Sequence, residues 1–232
     1  LNALIKAMDE VAADPMIRVV LLTGASPTFC SGLDLKELTA HRADSDGGRA
    51  YYERVVKLCG DLMLSVALCT KPVIAVVHGT AAATGCQLVA SCDLAVASET
   101  SHFATPGVNV GAFCSTPMVA LTRNIGRKRA MEMLLLGGML PAMHAMEYGL
   151  INRVVPEEDV MLEAMRWAGS IVSKSSHAIR IGKEAFHRQK DMSLAEAYDF
   201  AARVMVENLM IDDAKEGISA FLERRPPQWR DT

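Results

Sequence analysis

The chain has 232 residues, half of them apolar and 22% charged, with a formal net charge of −3. That is a globular balance, with enough chain for one substantial core or one core plus an appendage. The charge gives no reason to expect nucleic acid or a membrane surface as partner, and no apolar run approaches the ~18 residues of a membrane-spanning helix.

Asn2 to Ala13 is predicted as a helix with Leu4, Ile5, Met8 and Val11 on one stripe, ended by Pro15. The chain opens with Leu rather than Met, already inside a helical pattern, so residues ahead of Leu1 are expected. A buried strand is predicted over 17–23. Gly24 to Thr28 breaks it, and a short helix follows near 34–39. Residues 40–49 are polar and glycine-containing, and are expected to be a loop or mobile segment. A long amphipathic helix is predicted over 50–68. Val73 to Val77 is a β-branched apolar run that stops abruptly at His78-Gly79. Tiny residues follow, and from Thr84 a helical pattern begins. Asp93 to Ala97 reads as a further buried strand, and Phe103 to Val110 as extended or looped, with Pro106-Gly107 as punctuation. Helices are predicted near 116–123, 127–136 and 141–148, a short strand over 151–155, and helices near 157–173, 176–188, 194–210 and 212–224. The shift near Pro156 divides an α/β core (1–155) from a helical region (156–232). That region cannot bury all its apolar faces alone, so an oligomer is expected. Met161 and Met165, four apart, fit such a packing face.

Two strand–turn–helix junctions carry the functional reading. One runs through Gly32-Leu33-Asp34, the other through Ala83-Thr84-Gly85. A helix start presents free backbone N–H groups at a positive dipole end, and small residues let a ligand approach them. Two such amides aimed at one carbonyl oxygen would stabilise an enolate or a tetrahedral oxyanion. The same spacing also fits ordinary tight loops of an α/β domain. The six cysteines (Cys30, Cys59, Cys69, Cys86, Cys92, Cys114) include no C-x-x-C pair and read as small buried hydrophobes in a reducing compartment. At a helix start the thiol of Cys86 could have a depressed pKa, although packing is the favoured role. His78 fits a turn histidine or a group titrating near neutrality. His102 fits a surface or interface. Cys114 and Ser115 could approach an acyl pocket but lack a His-Asp partner pattern. No spacing suggests a metal site.

The segments Phe29 to Glu37, His78-Gly79 through Asp93-Leu94, and Glu216 to Arg225 resemble the crotonase (enoyl-CoA hydratase/isomerase) family, and the resemblance covers essentially the whole chain. It implies a spiral of ββα turns with a C-terminal helical trimerisation region, and a homotrimer or hexamer. It implies N-terminal strands ahead of Asn2-Ala3-Leu4. It further implies a lyase or isomerase of fatty acid metabolism acting on CoA thioesters, with no cofactor beyond the CoA of the substrate. The location would be cytoplasmic in a bacterial protein and the mitochondrial matrix in a eukaryotic one. By the same resemblance the oxyanion hole would be the backbone N–H groups of Leu33 and Thr84. Leu33, Asp34, Leu35 and Lys36 would lie along the CoA, and Phe221 and Arg224 would reach CoA held by a neighbouring subunit. The departures concern acid–base chemistry. The two family glutamate positions are Gln87 and Gly107 here, and Asn109 stands where some isomerases carry an aspartate. Amides do not exchange protons usefully near pH 7, so efficient hydration is not expected, and the pocket is expected to lack the usual acidic pair. A non-catalytic acyl-CoA binder or regulatory oligomer remains the alternative.

Overall fold

The structure, a computed structural model, describes residues 1–25 and 27–230; Ser26, in the turn predicted over 24–28, lies outside the described residues. In chain order the elements are α1 (Asn2–Ala13), β1 (Val20–Thr23), α2 (Leu35–Ala40), α3 (Arg49–Ala67), β2 (Val73–Val77), β3 (Thr80–Ala82), α4 (Thr84–Ser91), β4 (Leu94–Ser98) and β5 (His102–Ala104). There follow α5 (Ser115–Leu121), α6 (Arg127–Leu136), β6 (Leu140–Pro141), α7 (Ala142–Tyr148), β7 (Arg153–Val155), α8 (Val160–Val172), α9 (Ser176–Gln189), α10 (Leu194–Met210) and α11 (Asp212–Glu223). Single 3-10 turns occupy His41–Ala43, Pro106–Val110 and Glu157–Asp159.

β2 organises the core. Its five residues are fully buried, as expected of a central parallel strand covered on both faces. It lies between β1 and β4 in the all-parallel order β1-β2-β4-β7. Val73, Ala75 and Val77 face the main core with α1, α3 and α4, while Ile74 and Val76 face Val160, Ala164 and Ala168 of α8. Each fully buried branched side chain contributes about 1.5–3 kcal/mol of hydrophobic stabilisation. The first helix of the C-terminal region thus completes the α/β core.

β3, β5 and β6 form a second sheet. The chain passes from one sheet to the other at Gly79, which has φ +62°; a Cβ there would stand 2.0 Å from the Pro27 carbonyl oxygen. β3 had been read as part of a turn of tiny residues. It is a strand because Thr80–Ala82 pair with His102–Ala104 and Ala81 bridges Cys30. The polar 40–49 stretch is not slack. The Asp46 carboxylate accepts the Gly48 and Ala50 amides at 2.9 Å, His41 meets Asp44 at 2.8 Å, and the Tyr52 hydroxyl donates to the Leu38 carbonyl at 2.9 Å. Asp93 is structural: it accepts the Val73 amide at 2.7 Å and pairs with Lys183 of α9 at 2.5 Å. Among the described residues no helix is long and apolar enough to cross a membrane.

Two carboxylates clamp the C-terminal helices. Glu163 holds Arg166 at 2.7 and 2.8 Å and Arg153 at 2.6 Å, and hydrogen bonding to Arg166 lowers its pKa to about 2. Glu216 holds Arg225 at 2.5 and 2.9 Å, and that hydrogen bonding likewise takes it to about 2. Both values lie below the ~4.3 of an unfolded glutamate. Their stabilisation is therefore fully present above about pH 4.5 and is lost as the pH falls toward 2. Trp229, whose indole donates to the Ser173 carbonyl at 2.8 Å, reports on this end of the chain. In a Trp167→Phe background its emission should shift to the red between pH 4.5 and 2, and Glu216→Gln should produce part of that shift at pH 7. Emission unchanged by both would contradict the clamp.

Candidate active site

The two junctions meet. Cys30 exchanges backbone hydrogen bonds with β3, donating to the Thr80 carbonyl at 3.1 Å and accepting the Ala82 amide at 2.8 Å. The chain then turns at Gly32, φ +104°, and Asp34 caps α2 by accepting the amides of Lys36 at 2.8 Å and Glu37 at 3.4 Å. At the second junction Ala83 stands at φ +50°, ψ −115° immediately before α4. A non-glycine residue there stores roughly 1–3 kcal/mol of strain. It is held by its amide, which donates to the Ala104 carbonyl at 2.9 Å, and by its carbonyl, which accepts the Gln87 amide at 3.0 Å. A Cβ on Gly32 would lie 3.0 Å from the Ala83 Cβ and 3.6 Å from the Thr84 nitrogen; a Cβ on Gly85 would lie 2.0 Å from the Cys30 carbonyl oxygen. The two bends are therefore in contact, and the glycines permit it.

Both bends open on a cavity of about 510 Å³ between the start of α1 and α2, α3 and α4, and Leu33, Asp34 and Thr84 line it. Among the described residues, neither the Leu33 nor the Thr84 amide N–H has a hydrogen-bond partner. Thr84 is the first residue of α4, where an unbonded N–H is inherent to the helix. Burial pushes the Cys59 thiol of α3 up.

The other expected residues are placed differently. Gln87, one turn along α4, is 4% exposed, and its Oε1 has no hydrogen-bond partner among the described residues; the cavity lining does not include it. Gly107 lies in the 3-10 turn, where a Cβ would stand 2.8 Å from the Ala112 carbonyl oxygen and 3.0 Å from the Cys114 sulfur. Any side chain at 107 must displace the 112–114 backbone. Asn109 uses its side-chain amide to donate to the Gly137 carbonyl at 3.0 Å, bracing the 3-10 turn on the end of α6. Leu35 and Lys36 sit on the exposed side of α2, outside the lining. Phe221 is 82% exposed on α11 and Arg224, at φ +56°, ends that helix. Neither reaches the cavity of its own chain. Cys114 is buried, and the Ser115 hydroxyl donates to the Phe113 carbonyl at 3.4 Å.

Cys86 packs as the favoured reading had it: complete burial pushes its thiol up to about 12, outweighing the helix start. The cavity is not free of carboxylates, since Asp34 and Glu37 both line it, and Glu37 was not expected there. Asp34 is engaged as the cap of α2. Glu37 faces Tyr51, and hydrogen bonding to Glu37 raises that phenol to about 12. Tyr51 stacks on the His41 ring at 3.6 Å and 13°, and the Arg54 guanidinium lies 5.3 Å from the Tyr51 ring centre. Sequence reasoning missed this group. The available signal was the α3 stripe Tyr51, Arg54, Val55, Leu58, with Glu37 one helical turn beyond Leu33.

A protein-family model described as enoyl-CoA hydratase/isomerase matches residues 1–232. The chain is 47% identical over 213 residues to human enoyl-CoA hydratase domain-containing protein 3, mitochondrial, covering 92% of this chain and 69% of the relative. The crystal structure of human enoyl coenzyme A hydratase domain-containing protein 3 superposes with a TM-score of 0.93 at 45% identity, covering 98% of this chain and 88% of that one. That of an enoyl-CoA hydratase from Mycobacterium smegmatis does so with a TM-score of 0.92 at 45% identity, covering 98% and 87%. The chain belongs to the enoyl-CoA hydratase/isomerase, or crotonase, family.

The same chemical change at two glycines should have opposite effects. Gly85→Ala drives a methyl into the Cys30 carbonyl and should cost about 1–3 kcal/mol. Gly60→Ala, inside α3 with open space around the new methyl, should stabilise by about 0.5–1 kcal/mol. Urea denaturation of both variants measures this; equal effects would contradict the close approach of the two bends.

Proposed function

We propose that the cavity binds an acyl-CoA thioester and that the Leu33 and Thr84 amides receive its carbonyl oxygen, stabilising the enolate. The observation that supports this most is the pair of unbonded amides on two touching bends that open on one cavity. Fixed backbone donors need no reorganisation as negative charge develops on the oxygen. In this reading Asp34, Leu35 and Lys36 lie along the CoA. Phe221 and Arg224, remote from the cavity of their own chain, meet CoA held by a second copy in a trimer or hexamer. The relatives named mitochondrial suggest the matrix if the chain is eukaryotic.

The reaction follows from what the pocket withholds. Hydration of an enoyl thioester needs one group to activate water and one to protonate the α carbon. Gln87, buried one turn along α4 behind Thr84 and outside the cavity lining, carries an amide that cannot exchange a proton, and position 107 carries no side chain. Such a site favours steps that an oxyanion hole alone assists, such as decarboxylation of a malonyl-type thioester, over hydration. The buried, unpartnered Oε1 of Gln87 also supports a second reading, that of an acyl-CoA binder without turnover.

Gln87→Glu tests the placement. A glutamate at this buried position would have a raised pKa, which suits it to proton exchange near neutrality. Crotonyl-CoA hydration should rise by about a hundredfold, with a rate that climbs as the pH passes through the new pKa. An unchanged rate in the folded variant would contradict the placement of Gln87. Calorimetry of the wild-type protein with crotonyl-CoA should show saturable binding, and its absence would overturn the acyl-CoA reading.

A further inference from the structure

The segment that leaves β5 is tied to the rest of the fold at one point. Two backbone bonds close the 3-10 turn Pro106–Val110 on itself: the Gly111 amide donates to the Val108 carbonyl at 3.3 Å, and the Ala112 amide to the Gly107 carbonyl at 3.0 Å. Neither reaches another element. Thr105, just ahead of the turn, is fully buried, and its hydroxyl has no partner among the described residues; Pro106 has no amide to donate. Among the described residues the single hydrogen bond from the turn to another element runs from the Asn109 side-chain amide to the Gly137 carbonyl, at 3.0 Å. Gly137 ends α6 at φ +59°, and a Cβ there would stand 2.9 Å from Val108 Cγ2 and 3.1 Å from each polar atom of the Asn109 side chain. The end of α6 is thus pressed onto the turn, and a glycine makes room for the bond.

The turn starts from a peptide that bears on the candidate site. The Ala104 carbonyl, at the end of β5, accepts the Ala83 amide at 2.9 Å, and Ala83, at φ +50° and ψ −115°, stands directly before Thr84. The direction of that carbonyl is set by the plane of the Ala104–Thr105 peptide, so it follows the course of the chain into the turn. β6 pairs with His102 and Phe103 and stops short of Ala104. A strained residue such as Ala83 keeps its conformation only while its surroundings over-determine it.

We infer that Asn109 is a positioning residue for the oxyanion site: by pinning the turn to α6 it holds the Ala104 carbonyl on the Ala83 amide and so sets the direction of the Thr84 amide. This rests on the oxyanion role proposed for that amide, and names a residue outside the cavity lining that sustains it. It also takes Asn109 out of proton transfer, because its side chain is spent on α6. An alanine at this position gives up the bond. So does an aspartate, whose carboxylate only accepts and would face a carbonyl oxygen.

The test is difference infrared spectroscopy of butyryl-CoA carrying carbon-13 at its carbonyl, bound to the wild-type protein, Asn109→Ala and Asn109→Asp, with calorimetry of butyryl-CoA and CoA on each. Position 109 is exposed, so both variants are expected to fold; thermal melts check this, and one folded variant suffices. Two donors on one carbonyl oxygen should move its band to lower frequency in the wild-type complex, and each folded variant should keep about half of that shift. Each should bind butyryl-CoA about fivefold more weakly, while its affinity for CoA changes by less than about twofold. Isomerisation of 3-hexenoyl-CoA should not rise in Asn109→Asp. A full band shift in the variants, a loss of affinity shared equally by CoA, or faster isomerisation in Asn109→Asp, which would put this side chain beside the substrate, would overturn the inference. If the wild-type protein binds neither CoA nor butyryl-CoA, the acyl-CoA reading fails; if it binds butyryl-CoA with an unshifted carbonyl band, the oxyanion reading fails. The inference falls with either, whereas a shifted band that both variants leave intact sinks the inference alone.

Discussion

The parallel bridge between Cys30 and Ala81 presses two bends of the chain together, and the cavity exists because of that contact. The bridge fixes the start of the Gly32 bend against the end of β3. Gly85 then lets α4 begin directly on the Cys30 carbonyl. Ala83 takes up the remaining mismatch in a backbone conformation that alanine seldom adopts. Strain of this kind persists only where the surroundings over-determine it. Here β2, buried on both faces, and the pairing of β3 with β5 supply that constraint.

The cost of the arrangement is two backbone N–H groups left unbonded at the edge of a cavity. A fold normally pairs such groups, and the start of a helix is one of the few places where it cannot. In the proposed reading that necessity becomes a binding feature made of main chain. Side chains nearby are therefore free to vary. At 45% identity and a TM-score of 0.93 to a solved relative the architecture is closely similar, while the positions expected to carry acid–base chemistry are an amide and a glycine here. Fold and family membership define a scaffold and leave the reaction on it to be tested.

Local signals made most elements legible. α1, α3, α6, α8 and the three helices after it follow their apolar stripes closely, because periodicity and a terminator such as Pro15 act within a few residues. β3 was not legible. Thr80–Ala82 carry no apolar run, and only pairing with Cys30 and with β5 makes them a strand. The two junctions could be read from their glycines, but not that they touch, which depends on non-local pairing. That Tyr51 and Glu37 both line the cavity was missed for a similar reason. The two are joined through the 40–49 segment, whose polarity suggested slack chain. In the fold its aspartates and histidine bond back on themselves and set Tyr51 against α2.

A crystal structure of the complex with a non-hydrolysable acyl-CoA thioether ketone would bear most directly on the account. The Leu33 and Thr84 nitrogens should both stand about 2.7–3.1 Å from the oxygen that replaces the thioester carbonyl oxygen, with no carboxylate within bonding distance of the carbons beside it. An oxygen bound by only one of these amides, or turned toward Glu37 instead, would contradict it.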